Sequence, residues 1–246
     1  MKEPPSPLLI KPQLDRLYAF YNARKWVHPD PLEYLYEYPR LQDREVVGLI
    51  ASCLAYGRVT QILKSVSGIL KEMGEAPCRF LETCSFPALE KRFGEFKHRF
   101  TTGREMVMML EGIRYVIDRY GSLYECFLGA LDHQDDTILP ALSFFVSELK
   151  TPFDDSPSSL LPSPEKGSAC KRLSLFMRWM VRKDEVDPGG WSEISPRSLI
   201  VPLDRHMYFI SRALGITKRK QANMKAALEI TEFFRKFAPD DPVRYD

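Results

Sequence analysis

The feature that most constrains the fold is an apolar stripe that recurs at helical spacing along nearly the whole chain. Between residues 59 and 73 the stripe contains Ile62, Val66, Ile69 and Met73, and Gly74 would end this helix. Similar stripes lie within residues 106–120, 138–149, 173–180, 203–214 and 221–237. Residues 46–55 are apolar all round, which favours a helix at the centre of a core. The pattern predicts an all-α protein, with residues 199–201 as a short extended candidate.

Two segments interrupt the helical pattern. Residues 151–167 are rich in proline and serine and form either a linker or a structured loop. Residues 183–202 contain Asp187-Pro188-Gly189-Gly190-Trp191, and in one interpretation Trp191 caps the core from a surface loop. We expect one all-α domain over residues 1–246, with a helical half at 1–150 and a second half at 160–246.

The charge balance excludes a strongly basic coat. Lys and Arg number 35 and Asp and Glu number 33, which gives a net charge of +2. Residues 171–220 nevertheless hold eleven Lys or Arg against five Asp or Glu. This local excess favours a phosphate-facing surface, although an ordinary charged helix surface explains it as well.

Membrane, secreted and metal-binding classes receive little support. The longest uncharged apolar run, residues 46–56, is shorter than the about 20 residues that span a bilayer. The first five residues show no signal-peptide pattern, so we expect a cytoplasmic protein without a membrane partner. The five cysteines are widely spaced and include no C-x-x-C. We therefore expect no disulfide framework, no metal site and no cofactor.

Lys171 lies where a helix is expected to begin. The text Gly167-Ser168-Ala169-Cys170-Lys171 predicts Ser168 as the N-cap and places Lys171 in the first turn. The positive end of the helix dipole disfavours an ammonium group there, and a neutral amine is a nucleophile. Alternatively, Lys171 belongs to a solvated basic face that it shares with Arg178 and Arg182.

Asp204 precedes the next helix, whose stripe predicts Leu203, Met207, Ile210 and Leu214 on the inner face. Asp204 is either a helix cap alone or a carboxylate held at the junction for chemistry. His206, two residues further on, is expected to be packed or hydrogen-bonded rather than a metal ligand.

These features together resemble the helix-hairpin-helix (HhH-GPD) DNA glycosylase superfamily. The text V-P-L-D-R-H-M at 201–207, followed by R-A-L-G at 212–215, resembles endonuclease III-like members. The long gap between Lys171 and Asp204 is more similar to the archaeal 8-oxoguanine glycosylase branch. Residues 49–58 resemble the segment that approaches the lesion, although Tyr56-Gly57-Arg58 replaces its Gln-Gln pair. The whole chain also resembles a bacterial family of unknown function.

The resemblance implies two helical subdomains flanking a cleft that binds damaged duplex DNA. It implies Lys171 as the nucleophile and Asp204 as the ionised carboxylate that stabilises the reacting sugar. Phosphate contacts are expected from Arg172, Arg178, Arg182, Lys218, Arg219 and Lys220. The expected base pocket comprises Tyr56, Arg58, Trp191 and His206. A non-catalytic nucleic-acid-binding module and a helical protein–protein adaptor are the alternatives.

Overall fold

The computed structural model describes residues 7–152 and 158–246, and it confirms a predominantly helical fold. Short 3₁₀ helices occur at Arg24–Trp26, Pro31–Glu37, Pro164–Lys166 and Pro196–Ser198. The longer helices are α1 (Pro7–Tyr21), α2 (Leu41–Cys53), α3 (Val59–Met73), α4 (Pro77–Thr83), α5 (Phe86–Phe93), α6 (Gly103–Tyr120), α7 (Leu123–Leu128), α8 (Leu139–Lys150), α9 (Lys171–Val181), α10 (Arg205–Ala213) and α11 (Met224–Arg235). The strands β1 (Lys97–His98) and β2 (Thr101–Thr102) form a small hairpin.

The chain divides into two compact units. The first unit comprises Met1–Trp26, His133–Leu139 and Ser163–Asp246, and the second comprises Val27–Asp132 and Pro140–Pro162. The N-terminal helix and residues 133–139 therefore group with the C-terminal segment, whereas the sequence assigned all of 1–150 to one half. Residues 1–6, which carry much of the signal-peptide argument, and residues 153–157 of the Pro/Ser-rich segment lie outside the described residues.

Helix α2 is the centre of the second unit, as its apolar text predicts. Every residue from Glu45 to Cys53 is buried. Its two buried carboxylates accept hydrogen bonds at the starts of other helices. Asp43 Oδ1 accepts from the Cys78 N–H at 2.9 Å, and Glu45 Oε2 accepts from the Leu123 N–H at 3.0 Å. Both carboxylates thus accept hydrogen bonds from backbone N–H groups at helix N-termini, and these bonds offset the cost of burying the two charges.

The β-hairpin directly before α6 is a feature that the sequence did not predict. Lys97 pairs with Thr102 and His98 with Thr101, so residues 99 and 100 form the turn. Helix α6 then begins with a capping box between Thr102 and Glu105. A hairpin this short has no alternating pattern long enough to stand out in the sequence.

The core of the first unit forms around α9. Its stripe residues Leu173, Phe176, Met177 and Met180 are fully buried, as predicted. The loop that follows folds back onto the helix, and the Trp191 N–H donates to the Met180 carbonyl at 2.8 Å. Trp191 is itself 0% exposed and packs edge-on against Phe176, with ring centroids 5.2 Å apart. Trp191 caps the core, so its expected place in a base pocket is corrected.

Helix α10 presents a different face to the core than its stripe predicts. Leu203 is buried, but Ile210 is 57% exposed and Leu214 is 39% exposed. The buried face carries Tyr208, whose hydroxyl donates to the Arg219 carbonyl at 2.9 Å. The helix thus turns Tyr208 inward and leaves Ile210, together with Leu214 directly after the helix, in solvent.

The five cysteines form no disulfide in the described part of the chain, and all except Cys84 are buried. Within the part of the chain that the structure describes, no helix combines the length and apolarity needed to cross a bilayer.

Candidate functional site

Lys171 is the first residue of α9, because the preceding residue breaks the helix. Cys170 occupies the N-cap with a left-handed φ of 47° and makes no side-chain capping bond. The prediction that Ser168 is the N-cap is therefore wrong. The Ser168 hydroxyl instead accepts from the Cys170 N–H at 3.3 Å. Lys171 is half-buried and lies at the positive end of the α9 dipole.

Asp204 is the N-cap of α10, and its Oδ1 accepts from the Met207 N–H at 2.7 Å. The Asp204 side chain is 35% exposed, and its Oδ2 lies 3.8 Å from His206 Nδ1. His206 is 91% exposed, so the expectation of a packed histidine is wrong. Because the cap uses only Oδ1, the carboxylate can still act on a charge that develops outside the helix.

The carboxylate of Asp246 connects these two residues electrostatically. Its side chain is 15% exposed, and its Oδ2 lies 2.6 Å from Arg178 Nη1. Burial is the main cause that raises the pKa of Asp246, and the negative charge of Asp204 raises this pKa further. The positive charges of Arg178 and Lys171 lower the pKa of Asp246, but they do not cancel the rise. The charges of Lys171 and Asp204 thus act on this carboxylate in opposite directions.

An open cavity of about 360 Å³ lies beside Asp246 in the first unit. Its walls include Tyr18 and Tyr21 from α1, together with Arg178, Tyr245 and Asp246. Aromatic walls with a few polar groups are typical of small-molecule sites, and this volume can accept a small planar heterocycle.

Arg182 is buried in a cluster of ion pairs. Its side chain is 3% exposed and contacts Asp184 at 2.8 Å, Asp241 at 2.9 Å and Asp187. The expected phosphate contact by Arg182 is corrected, because the guanidinium is desolvated and bound to three carboxylates.

Arg178 belongs to the same cluster. It is 15% exposed and pairs with Asp187 at 3.2 Å and with Asp246 at 2.6 Å. Its expected role as a surface phosphate contact is corrected for the same reason. Residues 178 and 182 do share one face of α9, as the helical spacing indicates, but residues 184–187 and 241–246 cover that face.

The carboxylates around these arginines respond differently to burial. Burial raises the pKa of Asp187, which is 0% exposed, although Arg178 and Arg182 oppose the rise. Burial also opposes the ionisation of Asp184, but the N–H groups of Asp187 and Val186 and the charge of Arg182 lower its pKa overall. The cluster therefore mixes a stabilised carboxylate with a strongly desolvated one.

The remaining expected phosphate contacts differ in their availability. Lys218 and Lys220 are exposed, whereas Arg219 Nε lies 2.7 Å from Glu229 Oε1. Arg172 is half-buried at the start of α9. The exposed face of α10 adds Arg205 and Arg212, which were not among the predicted contacts.

Tyr56 and Arg58 lie in the second unit, on the loop between α2 and α3. Tyr56 donates to the His98 carbonyl at 2.8 Å and is hydrogen-bonded with Thr101 Oγ1 at 2.7 Å. His98 Nε2 lies 3.0 Å from the Tyr56 carbonyl, which can only accept, so Nε2 carries the hydrogen. His98 Nδ1 is hydrogen-bonded with the Ser65 hydroxyl at 2.9 Å. This network fixes the loop against the β-hairpin and leaves Arg58 exposed.

Two groups of functional candidates were missed by the sequence reasoning. The first is the set of acidic partners, of which Asp241 and Asp246 lie in an Asp-rich terminal stretch. Arg178 and Arg182 lie four residues apart at the end of α9, which indicates that acidic partners exist. It does not indicate where in the sequence those partners lie. The second is the hairpin turn at Arg99 and Phe100. Among the described residues, no group of three or more His, Cys, Asp or Glu side chains is arranged to hold a metal ion.

Comparison with known proteins gives one match. A family described as a protein of unknown function (DUF2400) matches residues 30–246. No curated protein and no solved structure matches the chain. Because the family match covers well over half of the sequence, the chain belongs to the DUF2400 family.

Proposed function

We propose that the first unit carries a lysine-dependent DNA glycosylase and AP lyase site that acts on a damaged base turned out of duplex DNA. One observation carries the proposal. Lys171 at the start of α9 and Asp204 at the start of α10 both contribute charge at the carboxylate of Asp246, which lines the 360 Å³ cavity. Lys171 and Asp204 are not themselves among the residues that line this cavity. An amine, a helix-capping carboxylate and a cavity of suitable size are the parts that this chemistry needs.

The local backbone before α9 supports the same proposal. Pro164–Lys166 form a single 3₁₀ turn, and Gly167 follows with a φ of 77° and donates its N–H to the Pro164 carbonyl at 3.0 Å. This tight left-handed turn lies directly before the lysine helix, where the superfamily has its hairpin, although among the described residues no α-helix leads into it, because α8 ends at Lys150. We therefore propose that the chain is a divergent relative of that superfamily.

The reaction begins with the neutral amine of Lys171. Its lone pair forms a bond to the sugar C1′ while the bond from C1′ to the base breaks, and the electron pair leaves with the base, which takes up a proton. The amine then loses a proton, and the sugar ring opens to an imine as O4′ is protonated. Asp204, ionised, stabilises the positive charge that develops on the sugar. Loss of the proton at C2′ and departure of the 3′ phosphate complete the strand cleavage.

Covalent trapping with borohydride tests the proposal, because borohydride reduces the imine to a stable amine. Wild-type protein is incubated with a panel of duplexes that carry oxidised, deaminated or alkylated bases. We expect an adduct with at least one duplex and none above background for Lys171→Ala. Lys183→Ala is the matched control, since Lys183 is an exposed lysine of the same unit. It should trap like wild type.

Asp204→Asn separates chemistry from capping. Asparagine caps a helix about as well as aspartate, so the unfolding transition should stay unchanged while trapping falls to background. Absence of trapping by wild-type protein across the panel would overturn the proposal. Equal trapping by wild type, Lys171→Ala and Asp204→Asn would do so as well. If salt-sensitive DNA binding persisted without trapping, the non-catalytic binding module would be the better description.

A further inference from the structure

The turn of the β-hairpin carries an exposed aromatic side chain on a strained backbone. Phe100 is 77% exposed, which is the largest value among the exposed large apolar side chains of the described residues. Arg99, just before it, has a positive φ of 52°. Glycine is the usual residue at such a position in a two-residue turn, so an arginine indicates that its side chain is needed there.

One cation contacts Phe100, and two further exposed cations lie on β1 and at the start of α3. Arg99 places its guanidinium 5.4 Å from the centroid of the Phe100 ring and 5.9 Å from that of Tyr56. Lys97 and Arg58 are exposed on β1 and at the start of α3. Among the described residues, none of these three cations forms a salt bridge. We call Arg58, Lys97, Arg99 and Phe100 the hairpin patch.

The patch is held rigidly from beneath. Thr101 and His98 are buried, and both are hydrogen-bonded to Tyr56, which joins the hairpin to the α2–α3 loop. Gly57 permits the close approach of Arg99, because a Cβ built on Gly57 would lie 2.7 Å from Arg99 Cδ. An exposed aromatic on a fixed turn loses little conformational freedom when it binds a ligand.

We propose that the hairpin patch binds a strand of nucleic acid, with Phe100 stacked on an unpaired base and Arg58 and Arg99 on the flanking phosphates. Bases stack on aromatic rings and on guanidinium planes, and phosphates attract unpaired cations. A protein partner would require a wider apolar area. In the described part of the second unit, Phe144 on α8 is the other exposed large apolar side chain, with 37% exposure.

This inference rests on the proposed function only in its choice of nucleic acid as the ligand. It makes no use of Lys171 or Asp204. A non-catalytic protein could carry the same patch, and a glycosylase could act without it. The two proposals can therefore fail separately.

Fluorescence anisotropy with a labelled single-stranded oligonucleotide tests the patch in the full-length protein. Phe100→Ala should weaken binding by about 5- to 100-fold, which corresponds to the loss of one stacked base. Phe144→Ala removes an exposed phenylalanine elsewhere in the same unit and should bind within about twofold of wild type. Thermal unfolding of Phe100→Ala should match wild type, because the ring is mostly in solvent.

Salt dependence identifies the phosphate contacts. Arg99→Gln and Arg58→Gln should each lower the slope of log affinity against log salt by about 0.7, while Phe100→Ala should leave the slope unchanged. Arg79→Gln, an exposed arginine on α4, is the control and should keep the full slope.

Three results would overturn the inference. They are no binding by wild-type protein, equal affinity of wild type and Phe100→Ala, and equal losses of affinity in Phe100→Ala and Phe144→Ala.

Lys171→Ala should bind the oligonucleotide like wild type. If Phe100→Ala lost binding and no protein could be trapped on damaged DNA, the patch would stand and the glycosylase proposal would fail. If wild type were trapped and Phe100→Ala bound the oligonucleotide unchanged, the glycosylase proposal would stand and the patch would fail.

Discussion

Two pairs of arginines carry the same charge in opposite surroundings. In the first unit, Arg178 and Arg182 are largely buried and each contacts at least two carboxylates. In the second unit, Arg58 and Arg99 are exposed and form no salt bridge to any described residue. Arg99 lies over aromatic rings instead. The first pair stabilises the fold, whereas the second keeps its donors for a ligand.

The difference shows that buried basic residues must be distinguished from exposed ones before any of them is assigned to a nucleic-acid surface. A guanidinium donates through three nitrogens, and the cluster around Arg182 gives each of them a fixed carboxylate acceptor. An exposed guanidinium exchanges its donors with water and can transfer them to phosphate. The charge excess of residues 171–220 therefore overstates the cationic surface of the first unit.

The largest effect is expected when the buried pair is broken. Arg182→Met keeps much of the apolar stem but leaves Asp184, Asp187 and Asp241 without their shared cation. Removing one partner of a buried ion pair lowers the free energy of unfolding by about 3–5 kcal/mol. Chemical denaturation measures this loss.

Arg58→Met is the matched variant in the exposed pair. Substitution of an exposed side chain without an ion pair should change the free energy of unfolding by less than about 0.5 kcal/mol. If Arg182→Met and Arg58→Met lowered the free energy of unfolding by similar amounts, the contrast would fail, because Arg58 would then also stabilise the fold.

The sequence predicted the parts of the fold that repeat a local pattern. Helices α3, α6, α8 and α9 match their stripes, because each buries one continuous apolar face, and α2 is buried all round as its apolar sequence predicts. Helix α10 does not, since it turns Tyr208 inward and leaves Ile210 in solvent. The hairpin was too short to leave a pattern.

The candidate site was predictable only where one residue carries the signal. Lys171 and Asp204 were predicted at helix starts and lie there, and their role in a site stays a prediction. Their relation to Asp246 depends on how the chain folds back. The same holds for the ion cluster, in which Arg182 and Asp241 are 59 residues apart. No local pattern connects residues at that separation, so the buried arginines were assigned to a basic surface.

A second prediction uses pH to probe the buried pair. The folded-state pKa of Asp184 is lowered below its ordinary value of 3.8, with burial opposing and backbone N–H groups and Arg182 favouring the charged form. The ionised Asp184 carboxylate therefore adds to the free energy of unfolding above about pH 4, and this stabilisation is lost as the pH falls through the folded-state pKa. Asp184→Asn should lower the free energy of unfolding by about 1–2 kcal/mol at neutral pH.

The difference in the free energy of unfolding between wild type and Asp184→Asn should shrink as the pH falls from about 4 through the lowered folded-state pKa, because the carboxylate takes up a proton first in the unfolded and then in the folded wild-type protein. Denaturation at a series of pH values measures it. Asp240→Asn, an exposed aspartate of the same unit, should differ little from wild type at every pH. A constant difference for Asp184→Asn would mean that the side chain acts through shape or packing and not through its charge.

A coupling between two neighbouring residues sharpens the exposed side of the comparison. Gly57 has a φ of 107°, and a Cβ there would approach Arg99 Cδ to 2.7 Å. Gly57→Ala should therefore lower the free energy of unfolding by about 1 kcal/mol, mainly through backbone strain. Arg99→Gly removes the neighbour and relaxes the turn, so Gly57→Ala should be less destabilising in that background by about 0.5 kcal/mol. Denaturation of the two single variants and the double variant measures this coupling. Strict additivity would show that Arg99 does not rest on Gly57 in solution, and the fixed position of its guanidinium would then have to come from the aromatic rings alone.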